Sequence, residues 1–234
     1  MDMERKPALI VMAKWPEPGQ VKTRLMPLLS AEEAGALYRA MLLDVLEAAV
    51  ALDNVDAVLG FWPEERREDF KKLAPRGTVL ISQKGADLAA RMQHCFDEVF
   101  ARGYAPVLMR NSDGPTLPDR VLRAAIDVLA GGAQAVFSPD ASHGFGVIGL
   151  EKSVPELLGR PLETDDSYEE IRARCADTGL RVAEVEGWYD VDGPADLSRL
   201  LRDWRDGAVP RNVRALLDRD GAAWEARVAE LELA

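Results

Sequence analysis

Short apolar runs of strand length alternate along this chain with longer segments whose apolar residues recur at helical period. A strand that is apolar at nearly every position has no face to offer to water, so it must be covered on both sides. Helices between successive strands supply that cover, and the expected class is α/β with a parallel or mostly parallel sheet.

The rhythm begins with Ala8–Ala13, read as a fully buried strand, and Ala31–Leu52, read as an amphipathic helix. Ser30 stands at the N-cap of that helix with Glu33 three residues on, the pattern of a capping box. Val55–Phe61 reads as a strand, Glu64–Leu73 as a helix, Thr78–Ser82 as a strand and Asp87–Phe100 as a helix. The last of these places Leu88, Met92, Cys95, Phe96 and Val99 on one stripe. Pro106–Met109 is the fourth strand, and Asp119–Leu129 a helix closed by Gly131 and Gly132. Ala135–Ser138 and Gly146–Leu150 are further strands, followed by helix Ser167–Thr178, strand Leu180–Val185 and helix Ala195–Trp204. Beyond Gly207 the pattern weakens into two short amphipathic pieces bounded by Pro210 and Gly221, which would pack on the body or serve a neighbouring subunit. With no Pro/Gly/Ser-rich linker, residues 1–206 are expected to form one domain and 207–234 a helical extension.

Charge and cysteine content narrow the function classes. Asp and Glu outnumber Lys and Arg by 40 to 29 among 234 residues, a formal charge of −11, which repels nucleic acid at long range. A local basic loop can still hold one nucleotide. Two cysteines, Cys95 and Cys175, are too few for a disulfide scaffold or a Cys-rich zinc site, so a cytoplasmic, reduced setting is expected. The apolar run after the N-terminus stops at Lys14, too short for a signal sequence or a membrane span.

In open α/β sheets, ligands bind beyond the carboxyl ends of the strands, and three connections there carry chemistry. The first, Lys14 to Arg24, is longer than most strand-to-helix loops; it holds Gly19 and the donors Lys22, Thr23 and Arg24, suited to phosphate oxygens or else a solvated basic loop. It lacks the Gly-Lys-Ser/Thr of a P-loop and the Gly-x-Gly-x-x-Gly of dinucleotide enzymes, which disfavours a nicotinamide-dependent oxidoreductase. The second, Asn111-Ser-Asp-Gly-Pro115, sets Asp113 at a strand's end, where it could ligate a hard divalent cation or simply close a turn. The third, Trp188-Tyr-Asp-Val-Asp-Gly-Pro194, puts Asp190 and Asp192 on one side of an extended backbone. Two carboxylates so placed call for a cation or donors between them, although Asp192 could equally cap the next helix. Trp188 could stack a base or sugar, or belong to the core.

Taken together these segments resemble the bacterial glycosyltransferase-like family of domain of unknown function 2064. The signature Pro-Gly-x-Val-Lys-Thr-Arg-Leu stands here as Pro18 to Leu25, Gly-x-Asp-x-Pro-x-Leu as Asn111 to Leu117, and Tyr-Asp-Val-Asp-x-x-x-Asp-Leu as Tyr189 to Leu197. A middle block, Gln83 to Met92, carries Gly85, Asp87 and Arg91, with Ala89 where the family has glycine. The resemblance implies the nucleotide-diphospho-sugar transferase (GT-A) fold, a Rossmann-like three-layer α/β/α arrangement whose mostly parallel sheet has one strand reversed. It further implies Mg²⁺ or Mn²⁺ on Asp113 with Asp192 or Asp190, and Gly19, Lys22, Thr23, Arg24, Gly85, Asp87 and Arg91 around a nucleotide. The family's acidic Gly-Pro-x-x-Asp-Gly-Gly-Tyr loop departs here to Ser138-Pro-Asp-Ala-Ser-His-Gly-Phe145, and the resemblance implies that Ser142, His143 and Gly144 lie on the substrate side.

The expectation is a metal-dependent transferase acting on a nucleoside di- or triphosphate or a nucleotide-sugar, with an unidentified acceptor and a homodimer allowed. Asp113, Lys22 and Arg24 would carry the catalysis by stabilising pyrophosphate charge. Glycosyl transfer and nucleotidyl transfer need the same clamp. The departure at Ser142 and His143 also raises a nucleotide-binding protein that has lost turnover.

Overall fold

A computed structural model describes residues 5–140, 144–163 and 166–232. Seven strands, β1 (Ala8–Lys14), β2 (Asp56–Trp62), β3 (Val79–Ser82), β4 (Val107–Arg110), β5 (Ala135–Pro139), β6 (Phe145–Leu150) and β7 (Val182–Glu184), make one sheet in the order β3-β2-β1-β4-β6-β5-β7. Only β6 runs against its neighbours, pairing antiparallel with both β4 and β5. The α/β class and the single reversed strand are as expected. β1 lies in the interior of the sheet, its Ile10 opposite Val58 of β2 on one side and Met109 of β4 on the other.

The alternation of side chains along the strands divides the core in two. Ile10, Val58, Met109, Phe137 and Ile148 face α3 (Leu88–Ala101), α5 (Pro155–Leu158) and α6 (Ser167–Asp177), whose Phe96, Leu157 and Ile171 are fully buried. Leu9, Val11, Leu59 and Phe61 face the opposite layer, α1 (Ala31–Ala51), α2 (Arg67–Leu73) and α4 (Asp119–Ala130), through Leu42, Phe70 and Leu122. The Ser30 and Glu33 capping box opens α1, with both reciprocal bonds in place.

A third cluster lies beyond the sheet's carboxyl end and is the part that positions the site. It gathers Val21 and Leu25 from the loop after β1, Leu37 and Met41 from α1, Tyr189 and Val191 from the segment after β7, and residues of α7 (Pro194–Arg205) and α8 (Arg211–Glu232).

α8 corrects the expectation of two short pieces: it is one helix of 22 residues that runs through Gly221. A Cβ at Gly221 would stand 2.8 Å from a ring carbon of Trp204, so this glycine admits α7 to close contact instead of breaking the helix. The helix packs on α1 of its own chain. Asp44 of α1 accepts the Asn212 and Val213 N–H groups at 2.8 Å each, and Trp224 is fully buried. The first turn of α8 is therefore capped by a side chain from a distant helix.

Candidate functional site

The loop after β1 is pinned at both ends of its basic stretch, because Val21 and Leu25 are buried in the third cluster. Between them Lys22 adopts a left-handed backbone, φ 50° and ψ 38°, followed by a 3-10 turn over Thr23–Leu25. The Lys22 side chain is consequently turned inward, only 5% exposed, while Thr23 and Arg24 stay exposed at the rim.

At the end of β4 the buried Arg110 guanidinium donates to the carbonyls of Asn111 and Gly114, at 3.2 and 2.5 Å. Asn111 accepts the Asp113 N–H through Oδ1 at 3.1 Å and donates through Nδ2 to Asp190 Oδ2 at 2.5 Å. Gly114 has to be small: a Cβ there would meet Asp190 Oδ1 at 2.9 Å. The third connection alternates as its extended reading requires, with Tyr189 and Val191 buried in the apolar cluster. The Val191 N–H donates to the Asp113 carbonyl at 2.9 Å, locking the two acidic segments together.

These three segments converge on an ion cluster. Lys22 Nζ lies 2.9 Å from Asp113 Oδ1 and 2.8 Å from Asp192 Oδ1. Burial alone would lower the Lys22 pKa, but attraction by Asp113 and Asp192 overcomes it and holds the ammonium above its ordinary value. Burial, with Asp113 and Asp140 nearby, pushes Asp190 up to about 7. Burial likewise pulls Arg110 down to about 10 and pushes Tyr38 up to about 12. The Tyr38 hydroxyl accepts the Lys14 N–H at 3.0 Å and pairs with Ser112 Oγ at 2.9 Å, tying the ends of β1 and β4 to α1. Lys14, Gln20, Val21, Lys22, Thr23, Arg24, Tyr38, Asp113 and Asp192 line a cleft of about 390 Å³.

These contacts bear on the local alternatives for the acids. Asp192 is not the cap of α7; Asp196, inside that helix, accepts the Asp192 and Gly193 N–H groups at 3.1 and 2.8 Å. Asp192 is thereby left to face Lys22. The turn at Asp113 is closed by Asn111, which sequence reasoning passed over, as it did Tyr38 and Arg110. Asn111 and Arg110 sat in the motif as written; Tyr38 was hidden as one aromatic on an apolar helix face.

The remaining expected residues lie around this cluster or outside it. Gly19 has φ +77° in the loop, and Gly85 has φ +144° after β3. Asp87 is the N-cap of α3, accepting the Ala90 N–H at 2.9 Å. Arg91 lies over the Trp62 ring at 4.8 Å, with Lys14 also over that ring at 5.3 Å. Trp188 is half-buried and donates to Thr116 Oγ1 at 3.1 Å, with Arg120 and Arg199 near its ring. Its contacts are those of a core-edge residue. Gly144 donates its N–H to Asp140 at 2.9 Å, whereas Ser142 and His143 fall outside the described residues.

Among the described residues no three His, Cys, Asp or Glu side chains are grouped to hold a metal ion. Two carboxylates do converge, and Asp113 Oδ1 is buried without an aligned hydrogen bond, its contact being the ion pair with Lys22. Among the described residues no helix is long and apolar enough to cross a membrane.

Comparison with known proteins bears on this arrangement. A family profile described as "Uncharacterized protein conserved in bacteria (DUF2064)" matches residues 45–161, half of the chain. The chain belongs to the DUF2064 family. The match takes in Asp113 and the Gly85 to Arg91 block, while Lys22 and Asp192 lie on either side of it. A structure from Desulfovibrio desulfuricans G20, assigned without demonstration as a nucleotide-diphospho-sugar transferase, is 28% identical with a TM-score of 0.87. That similarity covers 96% of this chain and 99% of the other. A cytidylyltransferase from Leptospira borgpetersenii is 12% identical at a TM-score of 0.57, over 96% of this chain and 97% of its own. A CMP:2-keto-3-deoxy-manno-octonic acid synthetase complexed with CTP is also 12% identical at a TM-score of 0.57, over 83% and 96%. These last two share the fold. No curated protein matches the chain.

Proposed function

We propose that this cleft binds the diphosphate portion of a nucleotide or nucleotide-sugar and that the protein is a transferase acting on it with a divalent cation. The observation that carries the reading is the convergence of Lys22, Asp113 and Asp192, the outer two 170 residues apart in sequence, at the carboxyl ends of β1 and β4. Ligands of open α/β sheets bind at such strand ends. The likeness to the Desulfovibrio protein and the nucleotide-using neighbours of the same fold support it.

In this reading the chain's own groups divide the work. Arg24 at the rim and Lys22 deeper in the cleft present positive charge to phosphate oxygens. Asp113 and Asp192 are hard oxygen donors that fit Mg²⁺ or Mn²⁺, and the unaligned Asp113 Oδ1 is suited to accept such an ion. A bound ion would supply charge stabilisation for the departing nucleoside diphosphate or pyrophosphate. Asn111 and the Val191-to-Asp113 bond hold the two acidic segments in register, and the buried Arg110 guanidinium offsets the repulsion between Asp113 and Asp190.

The test is a thermal-shift panel of nucleoside triphosphates and their sugar conjugates with and without Mn²⁺, followed by product analysis of any ligand that stabilises the protein. A metal-dependent rise in Tm is expected. Release of nucleoside diphosphate identifies glycosyl transfer, and release of pyrophosphate nucleotidyl transfer. Binding with no turnover across the panel leaves a nucleotide-binding protein, and no shift with any nucleotide overturns the proposal.

A further inference from the structure

We propose that Lys22 is a built-in counter-cation that bars divalent metal from Asp113 and Asp192 unless the metal arrives together with a diphosphate. The inference rests on the metal-and-diphosphate reading above and specifies what form of ligand the site accepts.

The geometry leaves little choice. Nζ of Lys22 stands 2.9 Å from one carboxylate and 2.8 Å from the other, the place that an ion shared by Asp113 and Asp192 needs. The side chain is nearly enclosed, and its backbone is fixed by the left-handed turn between buried Val21 and Leu25. Lys22 therefore cannot leave the acids by moving the loop without dismantling the third apolar cluster; only its flexible four-carbon stem can swing.

Charge decides what can make it swing. An ammonium taken from both carboxylates and left in an enclosed cleft is an uncompensated buried charge, a strongly unfavourable state. A bare divalent ion imposes that state, since it claims the acids and offers nothing to the lysine. A metal bound to a diphosphate does not, because the metal satisfies the acids while a phosphate oxygen receives the ammonium. The neighbouring Asp190 does not relieve the lysine either, its carboxylate being engaged by Asn111 Nδ2. Arg24, exposed at the mouth, adds attraction for the anionic partner of the pair.

The experiment measures Mn²⁺ binding to the full-length protein by electron paramagnetic resonance, with Mn²⁺ alone and with Mn²⁺ plus inorganic pyrophosphate, in wild type and in Lys22→Met. The expected effects have opposite signs: the variant binds Mn²⁺ alone about tenfold tighter or more, and binds the Mn²⁺–pyrophosphate pair about tenfold more weakly. A lysine with a purely structural role would weaken both. Unchanged or weaker binding of Mn²⁺ alone in Lys22→Met overturns the inference while leaving the transferase reading standing. Failure of wild type to bind Mn²⁺ in any combination, pyrophosphate or nucleotide, overturns the transferase reading itself. If the variant does not fold, the Lys22 ammonium resonance of the wild-type protein decides the matter. It should stay in place on adding Mg²⁺ and move on adding Mg²⁺ with pyrophosphate; displacement by Mg²⁺ alone refutes the proposal.

Discussion

The two ends of the sheet carry clefts of opposite character. The one at the amino ends of the strands is larger, about 1050 Å³ against 390 Å³, and is lined by Arg5, Lys6 and Arg123 as well as Asp53, Asp127 and Glu151. Its ion pairs, Lys6 with Asp56 and Arg123 with Asp53, join side chains that are a third or more exposed, where water screens them. At the carboxyl end the volume is modest, but Lys22 is enclosed and shared by two acids from separate segments. Volume alone does not mark a site. Charges drawn from distant parts of the chain into one enclosed cleft make the candidate, because groups perturbed both by burial and by specific charged partners gather at functional sites.

That contrast can be broken or sharpened experimentally. The largest effect should come from Trp224→Ala, which empties a fully buried site in the cluster beneath the carboxyl-end loop and is expected to destabilise the protein by about 3–5 kcal/mol in urea unfolding. A loss below about 1 kcal/mol would show that α8 is not a support of that end. Asp113→Asn should leave the fold intact and weaken Mn²⁺-dependent binding of a nucleoside diphosphate on the order of 100-fold, as expected for losing roughly 3 kcal/mol of charged contact. Equal affinity by calorimetry would remove Asp113 from the site.

Glu33 offers a pH-resolved test of how α8 holds the loop. Its carboxylate accepts from Arg227, from the Ser30 N–H and from Trp224, and the Arg227 bonds above all hold its pKa down to about 2 from 4.5. A carboxylate stabilised this way favours the folded state fully above pH 4.5 and loses the contribution as pH falls toward 2. Wild type should therefore exceed Glu33→Gln by roughly 1 kcal/mol at pH 7, with the gap closing through that acid window. A gap independent of pH would mean that the charge is not what matters. The smallest effect belongs to the amino end: Arg123→Ala should change stability by less than about 0.5 kcal/mol and leave nucleotide binding untouched. If it abolished binding, the larger cleft would have to be reconsidered.

Much of the framework was legible in the residues because it depends on local patterning. The strand cores, the helix α1 with its capping box, and the segments after β1, β4 and β7 are marked by apolar runs, by Ser30 with Glu33, and by glycine, proline and paired acids. Three features resisted. Gly221 reads as a helix break unless Trp204 is known to lie against it. Lys22 reads as a donor for phosphate, and nothing in its neighbourhood tells that its ammonium sits between Asp113 and Asp192. Tyr38 looks like one more apolar position of α1, although its hydroxyl links Lys14 and Ser112. Asp87 is an intermediate case: its place before α3 permitted a helix cap as readily as a ligand contact, and the capping bond is local.

The amino-acid sequence by itself determined the α/β class, the identity of the segments that end at the site, and the residue types available there, because periodicity and capping act over a few neighbouring residues. The tertiary structure alone decided which charges meet. Whether Lys22 faces solvent or a pair of acids depends on Val21, Leu25, Tyr189 and Val191 entering one apolar cluster with α7 and α8. Burial of that kind is a property of contacts across the whole chain, which no local pattern records.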